Sequence, residues 1–363
     1  MSNAYAKAGV DTEAGERAVA LMKASIAKAG RPEVVGDFGG FAGLFDASAL
    51  RGYRKPLLAT GTDGVGTKVA IAQRLGIHHT VGIDLVAMIA DDIVCCGAEP
   101  LFLTDYIATG RVEPQVVADI VRGVAEGCAQ AGMALLGGET AEHPGLMQPG
   151  EYDLAGAGTG VVEADDLLGA HRAQTGDVVI ALPSSGLHSN GFSLARHVLL
   201  GESGKAAGLD LLKHVDSLGR TLGEELLEPT RIYSLDIVAA ARALGTSLHA
   251  VSHVTGGGIA ANLARVLPTE LAADLERRSW QVPAIFELIA EVGSIAQRDL
   301  ELTFNLGLGM LLVVDAEAAG ETVKFFNDRK QSAFAVGQVR ERQPGETGDS
   351  PAKGGKGGAV SLR

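Results

Sequence analysis

The chain has 363 residues, more than a single hydrophobic core comfortably fills, so the sequence predicts two domains. A formal net charge of −13 and an aromatic content of 4% argue against a nucleic-acid partner, which needs a basic surface and stacking rings. The three cysteines lack metal-ligand spacing, and no apolar leader or membrane-length apolar stretch is evident. We therefore expect a cytoplasmic protein without a membrane partner.

The first elements are a helix and a glycine-rich stretch. Val19, Met22 and Ile26 recur at helical spacing and predict a helix over Thr12–Ala29. The following GDFGGFAGLFD, Gly36–Asp46, is compatible either with a strand entered through a glycine turn or with a ligand loop.

The segment Gly61–Lys68 of the motif TGTDGVGTK lies between a predicted strand, Leu57–Thr60, and a predicted helix, Val69–Leu75. Its glycines permit close approach of a ligand to the backbone, and amides at a helix N-terminus favour anions. Asp63 offers a carboxylate for a metal ion. The spacing is not that of a Walker A loop, and a plain glycine turn is the alternative.

The stretch TVGIDLVAMIADDIVCCGAEPLFLTDY, Thr80–Tyr106, gathers four aspartates. The pattern predicts a strand ending at Ile83, Asp84 as the N-cap of a helix, and a strand over Leu101–Leu103 before Asp105. The remaining two, Asp91 and Asp92, would lie on that helix. Four neighbouring carboxylates repel each other unless a cation lies among them, which indicates a divalent ion carrying a polyphosphate. The alternative is an N-cap and a solvated helix face.

The rest of the first half alternates helix and strand. A helix is predicted over Val116–Ala131 and strands over Ala134–Leu136 and Tyr152–Val162, with the loop GGETAEHPG, Gly137–Gly145, between the strands. The polar run Glu163–Asp177 reads as the domain junction.

The second half has two polar loops that follow predicted strands. After Val178–Leu182, the loop PSSGLHSNGFS, Pro183–Ser193, carries so many polar groups that we expect it to face solvent or a polar ligand. It is not a nucleophile elbow, because G-x-S-x-G is absent. After the strand Leu248–Val254, Gly256–Gly258 begins a helix and offers amides to a phosphate monoester, or merely allows a tight turn.

The remaining predictions complete a two-domain α/β protein of the α+β type. They are a helix over Ile232–Leu244, strands over Leu308–Val314 and Phe334–Val339, and a helix over Gly320–Phe326. From Gln343 the composition predicts a disordered tail. The expected boundaries are 1–168, 169–342 and 343–363.

Six motifs together resemble one enzyme family. TGTDGVGTK, GIDLVAMIADDIVCCGAEPLFLTDY, GGETAEHPG, YDLAGAGTGVVE, SSGLHSNGFSL and HVTGGG occur in the order found in phosphoribosylformylglycinamidine cyclo-ligase, or AIR synthetase. The resemblance runs from about Tyr5 to Val339. Two residues depart from the family pattern, His143 where Met is expected and Asp91 where Asn is expected.

The resemblance implies ATP-dependent closure of formylglycinamidine ribonucleotide to 5-aminoimidazole ribonucleotide, with release of ADP and phosphate, in purine biosynthesis. It also implies a homodimer whose N-terminal sheets form a shared barrel, with ATP and Mg2+ as cofactors. The superfamily signature D-x4-G-A-x-P is present from Asp92 to Pro100 and makes Asp92 and Asp63 the expected metal ligands.

The expected site residues fall into three further groups. His188, Asp84 and Lys68 are the catalytic candidates, with His188 shuttling a proton or stabilising the transferring group. The cofactor-binding candidates are Gly61, Thr62, Asp63, Gly64, Gly66, Thr67, Lys68, Asp105, Gly137, Gly138, Glu139 and Thr140. The substrate-binding candidates are Ser184, Ser185, Ser189, Asn190, Thr255, Gly256, Gly257 and Gly258.

Related activities are weaker alternatives. Selenophosphate synthetase is disfavoured, because no cysteine precedes Cys95 in the early glycine-rich segment. A formylglycinamidine synthase would need an ammonia source, and a thiamine-phosphate kinase would need thiamine phosphate as acceptor. A non-catalytic nucleotide-sensing dimer would bind ATP without releasing ADP.

Overall fold

A computed structural model describes residues 12–36, 40–201 and 208–363. The N-terminal part consists of α1 Thr12–Ile26, β1 Val34–Val35, β2 Leu44–Phe45, β3 Pro56–Gly64, α2 Val69–Leu75, α3 His79–Val94, β4 Glu99–Thr109, α4 Pro114–Ala131, β5 Ala134–Glu142 and β6 Tyr152–Glu163. The middle of the predicted glycine-rich stretch, residues 37–39, lies outside the described residues.

The C-terminal part continues with β7 Val178–Pro183, α5 Phe192–Leu199, β8 His214–Val215, β9 Arg220–Thr221, α6 Leu222–Leu226, α7 Ser234–Leu244, β10 Leu248–His253, α8 Gly258–Arg265 and β11 Leu271–Leu275. It ends with α9 Ala284–Gly293, α10 Gln297–Glu301, β12 Leu308–Val314, α11 Ala319–Asp328, β13 Phe334–Glu341 and β14 Ala359–Leu362. The predicted mixed α/β class is confirmed.

The first sheet has the strand order β3-β6-β4-β5, with β4 and β5 parallel and the other pairs antiparallel. Helix α3 packs on one face, where Gly156, Gly158 and Gly160 leave room for the side chains of Ile89 and Ile93. At Gly158 a Cβ atom would lie 2.6 Å from Ile89. The small residues of β6 therefore bring α3 close to the sheet.

The second sheet has the order β10-β12-β7-β13-β11-β14, antiparallel except for β11 and β14. Strand β12 is buried along its whole length, as expected for a strand covered on both faces. The expected disordered tail is wrong, because β14 pairs with β11 and buries Ala359, Val360 and Leu362. Composition favoured disorder, but burial of these apolar side chains offsets the entropy of ordering.

Three sequence-based boundaries are corrected. The predicted strand ending at Ile83 is wrong: Thr80–Ile83 belongs to α3, so Asp84 lies inside that helix and is not its N-cap. The strands β3 and β5 continue through most of the glycine motifs, so Gly61–Gly64 and Gly137–Glu142 are strand residues rather than loops. A glycine-rich composition is typical of loops. Here β6 forms hydrogen bonds with β3, and β4 forms hydrogen bonds with β5, and these bonds hold both segments extended.

Candidate functional site

Three of the sequence motifs, each at the end of a strand from one of the two sheets, contact one another. Ser189 Oγ donates a hydrogen bond of 2.7 Å to the Val65 carbonyl, and the hydroxyls of Thr67 and Ser193 are 3.2 Å apart. We call the loop Pro183–Ser193 the serine loop. On its other side, the Gly256 amide donates to Asn190 Oδ1 at 2.9 Å. The serine loop therefore connects the TGTDGVGTK motif with the Thr255–Gly258 turn.

A buried ion pair within the N-terminal part makes hydrogen bonds to the C-terminal part beside this loop. Lys68 Nζ lies 2.8 Å from Asp84 Oδ2 and also donates to the carbonyls of His188, at 3.1 Å, and Glu228, at 2.7 Å. Asp84 in turn accepts from the amide and hydroxyl of Thr230. Burial lowers the pKa of Lys68, and the charge of Asp84 opposes that effect. Contrary to the expectation from the sequence, Lys68 and Asp84 do not face a ligand-accessible surface.

Asp91 makes a second buried link to the C-terminal part. Its Oδ1 accepts from the Tyr233 amide at 3.0 Å and from Ser234 Oγ at 2.6 Å, at the start of α7. Its Oδ2 has no hydrogen-bond partner among the described residues. Burial raises the pKa of this carboxyl to about 6. Asp84 and Asp91 thus attach α3 to the segment Thr230–Ser234, and the expected four-carboxylate metal cluster is not assembled.

We expect Asp91→Asn to stabilise the apo protein at pH 8. The amide oxygen preserves both hydrogen bonds, and the substitution removes a buried charge whose second oxygen has no partner. Because the folded-state pKa is raised, the native state binds the proton more tightly and loses stability as pH rises from about 4 to about 6. A gain of up to about 3 kcal/mol at pH 8 should disappear near pH 4.

Urea unfolding in Mg2+-free buffer at both pH values measures this difference. Asp153→Asn is the matched control, since Asp153 is an exposed carboxylate on β6. A destabilised Asp91→Asn protein at pH 8 would contradict the account.

Asp92 differs from the other aspartates of α3, because its side chain is 46% exposed. Its Oδ1 lies 2.9 Å from His253 Nδ1. Burial raises the pKa of Asp92, but the hydrogen bond from His253 and the charges of His253, Arg265 and Lys353 outweigh it and hold the pKa below its usual value. The exposed Asp63 on β3 is near enough for its charge to act on His253. The two expected metal ligands therefore share one neighbourhood.

His253 was not among the residues selected from the sequence, although it begins the HVTGGG motif. It lies at the end of β10, and its Nε2 is buried without a hydrogen-bond partner among the described residues. Burial lowers the pKa of His253, but Asp92, Asp91 and Asp63 together raise it above the usual value. The neighbouring carboxylates mark His253 as a site residue, but only the fold brings them next to it.

His188 is almost fully buried, which differs from the exposed loop expected from the sequence. Its Nε2 accepts from the Ser185 amide at 3.1 Å, while Nδ1 is buried without a partner among the described residues. Burial, with His253, Lys68 and Arg231 nearby, holds its pKa well below 6.5, so the ring is neutral at neutral pH. The available Nδ1 is then the protonated nitrogen, a hydrogen-bond donor.

Many polar groups of the serine loop make hydrogen bonds to other protein groups rather than to solvent. Ser184 Oγ donates to the Gly186 carbonyl at 2.9 Å, and Ser185 Oγ donates to the Pro229 carbonyl at 2.7 Å. His188 has a positive φ of 62° within this loop, a conformation that non-glycine residues adopt only when their surroundings hold it. The loop is therefore a rigid wall of the site.

The remaining expected cofactor residues lie around a cavity of about 370 Å3 at the β5 edge of the N-terminal sheet, between α1, β4 and β5. Asp105 lies against β5 so closely that a Cβ at position 138 would be 1.6 Å from its Oδ1, which requires Gly138. Burial raises the pKa of Asp105 to about 7, and its Oδ2 has no partner among the described residues. The lining includes Asp105, Gly137, Gly138, Glu139 and Thr140.

The TGTDGVGTK motif does not line this cavity, because β3 and β5 are the opposite edges of the sheet. The structure therefore divides the expected nucleotide-binding set into two groups. Within residues 12–36, 40–201 and 208–363, one group of three residues has donor atoms close enough to share a metal ion: Asp177, His249 and Asp315. There His249 Nδ1 is 2.7 Å from Asp177, and the group links the ends of β7, β10 and β12.

Both parts of the chain match models of one protein class. The AIR synthase related protein N-terminal domain matches residues 45–162, and the corresponding C-terminal domain matches residues 174–349. These matches cover most of the chain, so it is an AIR synthase related protein.

Curated relatives narrow this class. The chain is 48% identical over 339 residues to phosphoribosylformylglycinamidine cyclo-ligase of Geobacillus kaustophilus, covering 93% of this chain and 96% of that protein. It is 50% identical over 343 residues to the Myxococcus xanthus protein of the same name, covering 94% and 97%. The chain therefore belongs to the phosphoribosylformylglycinamidine cyclo-ligase family and is an enzyme of the cyclo-ligase type.

Solved structures show the same fold at low identity. Thiamine-monophosphate kinase from Stenotrophomonas maltophilia aligns with a TM-score of 0.62 and 18% identity, covering 94% of this chain and 95% of that one. The hydrogenase maturation protein HypE of E. coli aligns with a TM-score of 0.62 and 16% identity, covering 91% and 92%. No helix among the described residues is long and apolar enough to cross a membrane.

Proposed function

We propose that this enzyme closes the imidazole ring of formylglycinamidine ribonucleotide with ATP, giving 5-aminoimidazole ribonucleotide, ADP and phosphate in cytoplasmic purine biosynthesis. The observation that carries the proposal is identity of about one residue in two with named cyclo-ligases across both domains. The convergence of three motifs supports it.

The formyl oxygen of the substrate is a poor leaving group, so it must be activated before the ring can close. Transfer of the γ-phosphoryl group of ATP to the formyl oxygen, with loss of the proton on the formamide nitrogen, gives an iminophosphate and ADP, and the amidine nitrogen then attacks the same carbon. Phosphate leaves, and the ring nitrogen loses a proton. Both partners of the ring closure are in one molecule, so positioning and charge neutralisation contribute more than a protein nucleophile.

The residues around Asp92 fit a hard divalent cation. Asp92 and Asp63 are exposed carboxylates in one neighbourhood, which is the donor chemistry that Mg2+ prefers. When bound, Mg2+ would neutralise charge on the phosphates of ATP. His253 holds the Asp92 carboxylate through Oδ1 at 2.9 Å, which fixes its direction.

The serine loop and the Thr255–Gly258 turn suit the ribonucleotide substrate. Asn190 fixes the Gly256 amide at 2.9 Å, and Ser189 ties the loop to Val65. The neutral His188 would act as a hydrogen-bond donor through Nδ1 rather than as a cation. We place the substrate between these two segments, with Ser184 and Ser185 keeping the loop rigid.

We place the base of ATP in the cavity beneath α1. Apolar side chains from α1, β4 and β5 surround one buried carboxylate with a free oxygen, which suits a flat base bearing an amino group. The amino group would donate to Asp105 Oδ2, while Glu139 and Thr140 of β5, which also line the cavity, would make further contacts.

Affinity for ATP should then strengthen by about tenfold between pH 6 and pH 8. The acceptor must be ionised, and Asp105 has a pKa of about 7, so its ionised fraction rises over this range. Calorimetric titration at both pH values measures the dissociation constant. Asp105→Asn should lose this pH dependence, and Asp153→Asn should keep it. If the affinity of Asp105→Asn for ATP still changed with pH as in the parent, the base would bind elsewhere.

We propose a homodimer formed through the outer face of the N-terminal sheet. That face exposes Leu58, at 64%, together with Thr60, Thr62, Thr104 and Tyr106 among the described residues. An uncovered sheet face of this kind is suited to closure against a second copy into a barrel. Light scattering should give twice the 37.3 kDa chain mass, and a monomer would contradict the proposal.

The test of function is direct. Purified protein with ATP, Mg2+ and formylglycinamidine ribonucleotide should produce 5-aminoimidazole ribonucleotide and ADP in equal amounts. The reaction should not require glutamine or ammonia, and thiamine phosphate should not replace the substrate. Product formation from thiamine phosphate, or none from formylglycinamidine ribonucleotide, would overturn the assignment.

A further inference from the structure

The C-terminal segment beyond the matched family domain is folded onto the proposed substrate site. The family match ends at residue 349, whereas β14 follows at Ala359–Leu362. Asp349 anchors this segment, because its amide donates to the Val360 carbonyl at 2.8 Å and its carboxylate accepts from the Leu362 amide at 2.7 Å. The connection between Asp349 and β14 is therefore held at both ends.

That connection runs along α8, the helix that begins in the Thr255–Gly258 turn. The Lys353 amide donates to the Ala261 carbonyl at 3.0 Å, and Arg265 Nε donates to the Lys353 carbonyl at 3.3 Å. A Cβ at Gly357 would lie 2.0 Å from the Ala264 carbonyl oxygen, so only glycine allows this approach. These contacts fix the backbone of Lys353 beside α8.

The side chain of Lys353 reaches the turn. Its Nζ donates to Thr255 Oγ1 at 2.9 Å, and the residue remains partly exposed. An ammonium group has three donors, so the contact with Thr255 leaves donors for a ligand. Asn262 Nδ2 donates to the carbonyls of Thr255, at 3.0 Å, and Gly258, at 2.8 Å. The carbonyl oxygens of Thr255 and Gly258 are thus engaged by a buried side chain.

A further observation points to a bound ligand beside the turn, and the charge balance limits which group could hold an anion there. His253, two residues before the turn, carries a buried Nε2 without a partner among the described residues. The protein has a net charge of −13, and Asp63 and Asp92 both act on Lys353, so an anion needs a local cation. Lys68 is unsuitable, since it is buried and engaged by Asp84 and two carbonyls.

We infer that Lys353, supplied by the C-terminal segment, binds the phosphate monoester of the ribonucleotide substrate at the Thr255–Gly258 turn. This inference rests on the proposed function for the identity of the substrate. It adds a binding residue from outside the matched family domain. The Gly256 amide already donates to Asn190 and the Gly258 amide to the Thr255 carbonyl, so the ammonium supplies the charge, and the first-turn amides of α8 that follow Gly258 supply the further donors that a phosphate dianion requires.

The test compares Lys353→Met with Lys353→Arg. Methionine keeps most of the unbranched side chain and removes the charge, while arginine keeps the charge. Lys356→Met is the matched control, because Lys356 is an exposed lysine of the same segment. We expect Lys353→Met to raise the KM for formylglycinamidine ribonucleotide at least tenfold, with the KM for ATP and the thermal midpoint unchanged. Lys353→Arg should stay within threefold of the parent and Lys356→Met should match it.

A second measurement separates this inference from the proposed function. Calorimetric titration with ribose 5-phosphate does not depend on turnover, and binding to the parent should weaken at least tenfold in Lys353→Met. If the parent binds ribose 5-phosphate but forms no product, the function fails and the phosphate site stands. An unchanged substrate KM and unchanged ribose 5-phosphate binding in Lys353→Met would overturn the inference. So would a lowered thermal midpoint with both KM values raised, which would mean a purely structural role.

Discussion

Lys68→Met is expected to destabilise the protein by about 3–5 kcal/mol. Lys68 and Asp84 are completely buried, and the ammonium also donates to the carbonyls of His188 and Glu228. Without it, Asp84 keeps a buried negative charge, and the carbonyls of His188 and Glu228 lose this donor. Urea unfolding followed by circular dichroism measures the loss.

Two comparisons identify the cause of that loss. Lys324→Met removes an exposed ion pair with Asp328 and should change the unfolding free energy by less than about 1 kcal/mol. Adding Asp84→Asn to Lys68→Met should recover part of the stability, because the amide oxygen still accepts from Thr230 and no buried charge remains. A stable Lys68→Met protein with a raised KM for ATP would instead place Lys68 at the nucleotide.

The sequence predicted the elements better than the direction in which polar side chains face. Most helices and strands followed from apolar periodicity, including the buried strand Leu308–Val314. The strand predicted to end at Ile83 is wrong because a short apolar run suits a strand and a buried helix equally. The N-cap predicted at Asp84 is wrong for the same reason, because that helix begins at His79.

The candidate site was recoverable from the sequence as a set of segments, but not as a set of contacts. The motifs around Asp63, Asn190 and Gly256 do come together. That Asp84 pairs with Lys68 inside the protein depends on the docking of α3 against Thr230–Ser234, which no local pattern encodes. Lys353 gave no signal, because a Gly- and Lys-rich tail has the composition of a disordered segment.

Asp92→Asn is expected to lower kcat by at least about 100-fold while leaving the fold intact. Of the three aspartates on α3, Asp92 alone keeps a substantially exposed carboxylate, so its charge is available to a metal ion rather than used in the interior. The amide retains an oxygen at nearly the same place and loses the charge that a hard cation requires. The activity that remains should need a higher Mg2+ concentration for half-saturation.

The control for this variant must separate lost metal binding from lost support by His253. His253→Gln removes the imidazole that lies 2.9 Å from Asp92 but leaves the carboxylate charged, so it should cost about 10-fold and shift Mg2+ half-saturation less than Asp92→Asn does. Thermal midpoints of both variants, measured without Mg2+, test for unfolding. Because the carboxylate carries the charge and His253 only directs it, Asp92→Asn should lower kcat more than His253→Gln does. Normal turnover with normal Mg2+ dependence in Asp92→Asn would remove this residue from the metal site and leave Asp63 without its expected partner.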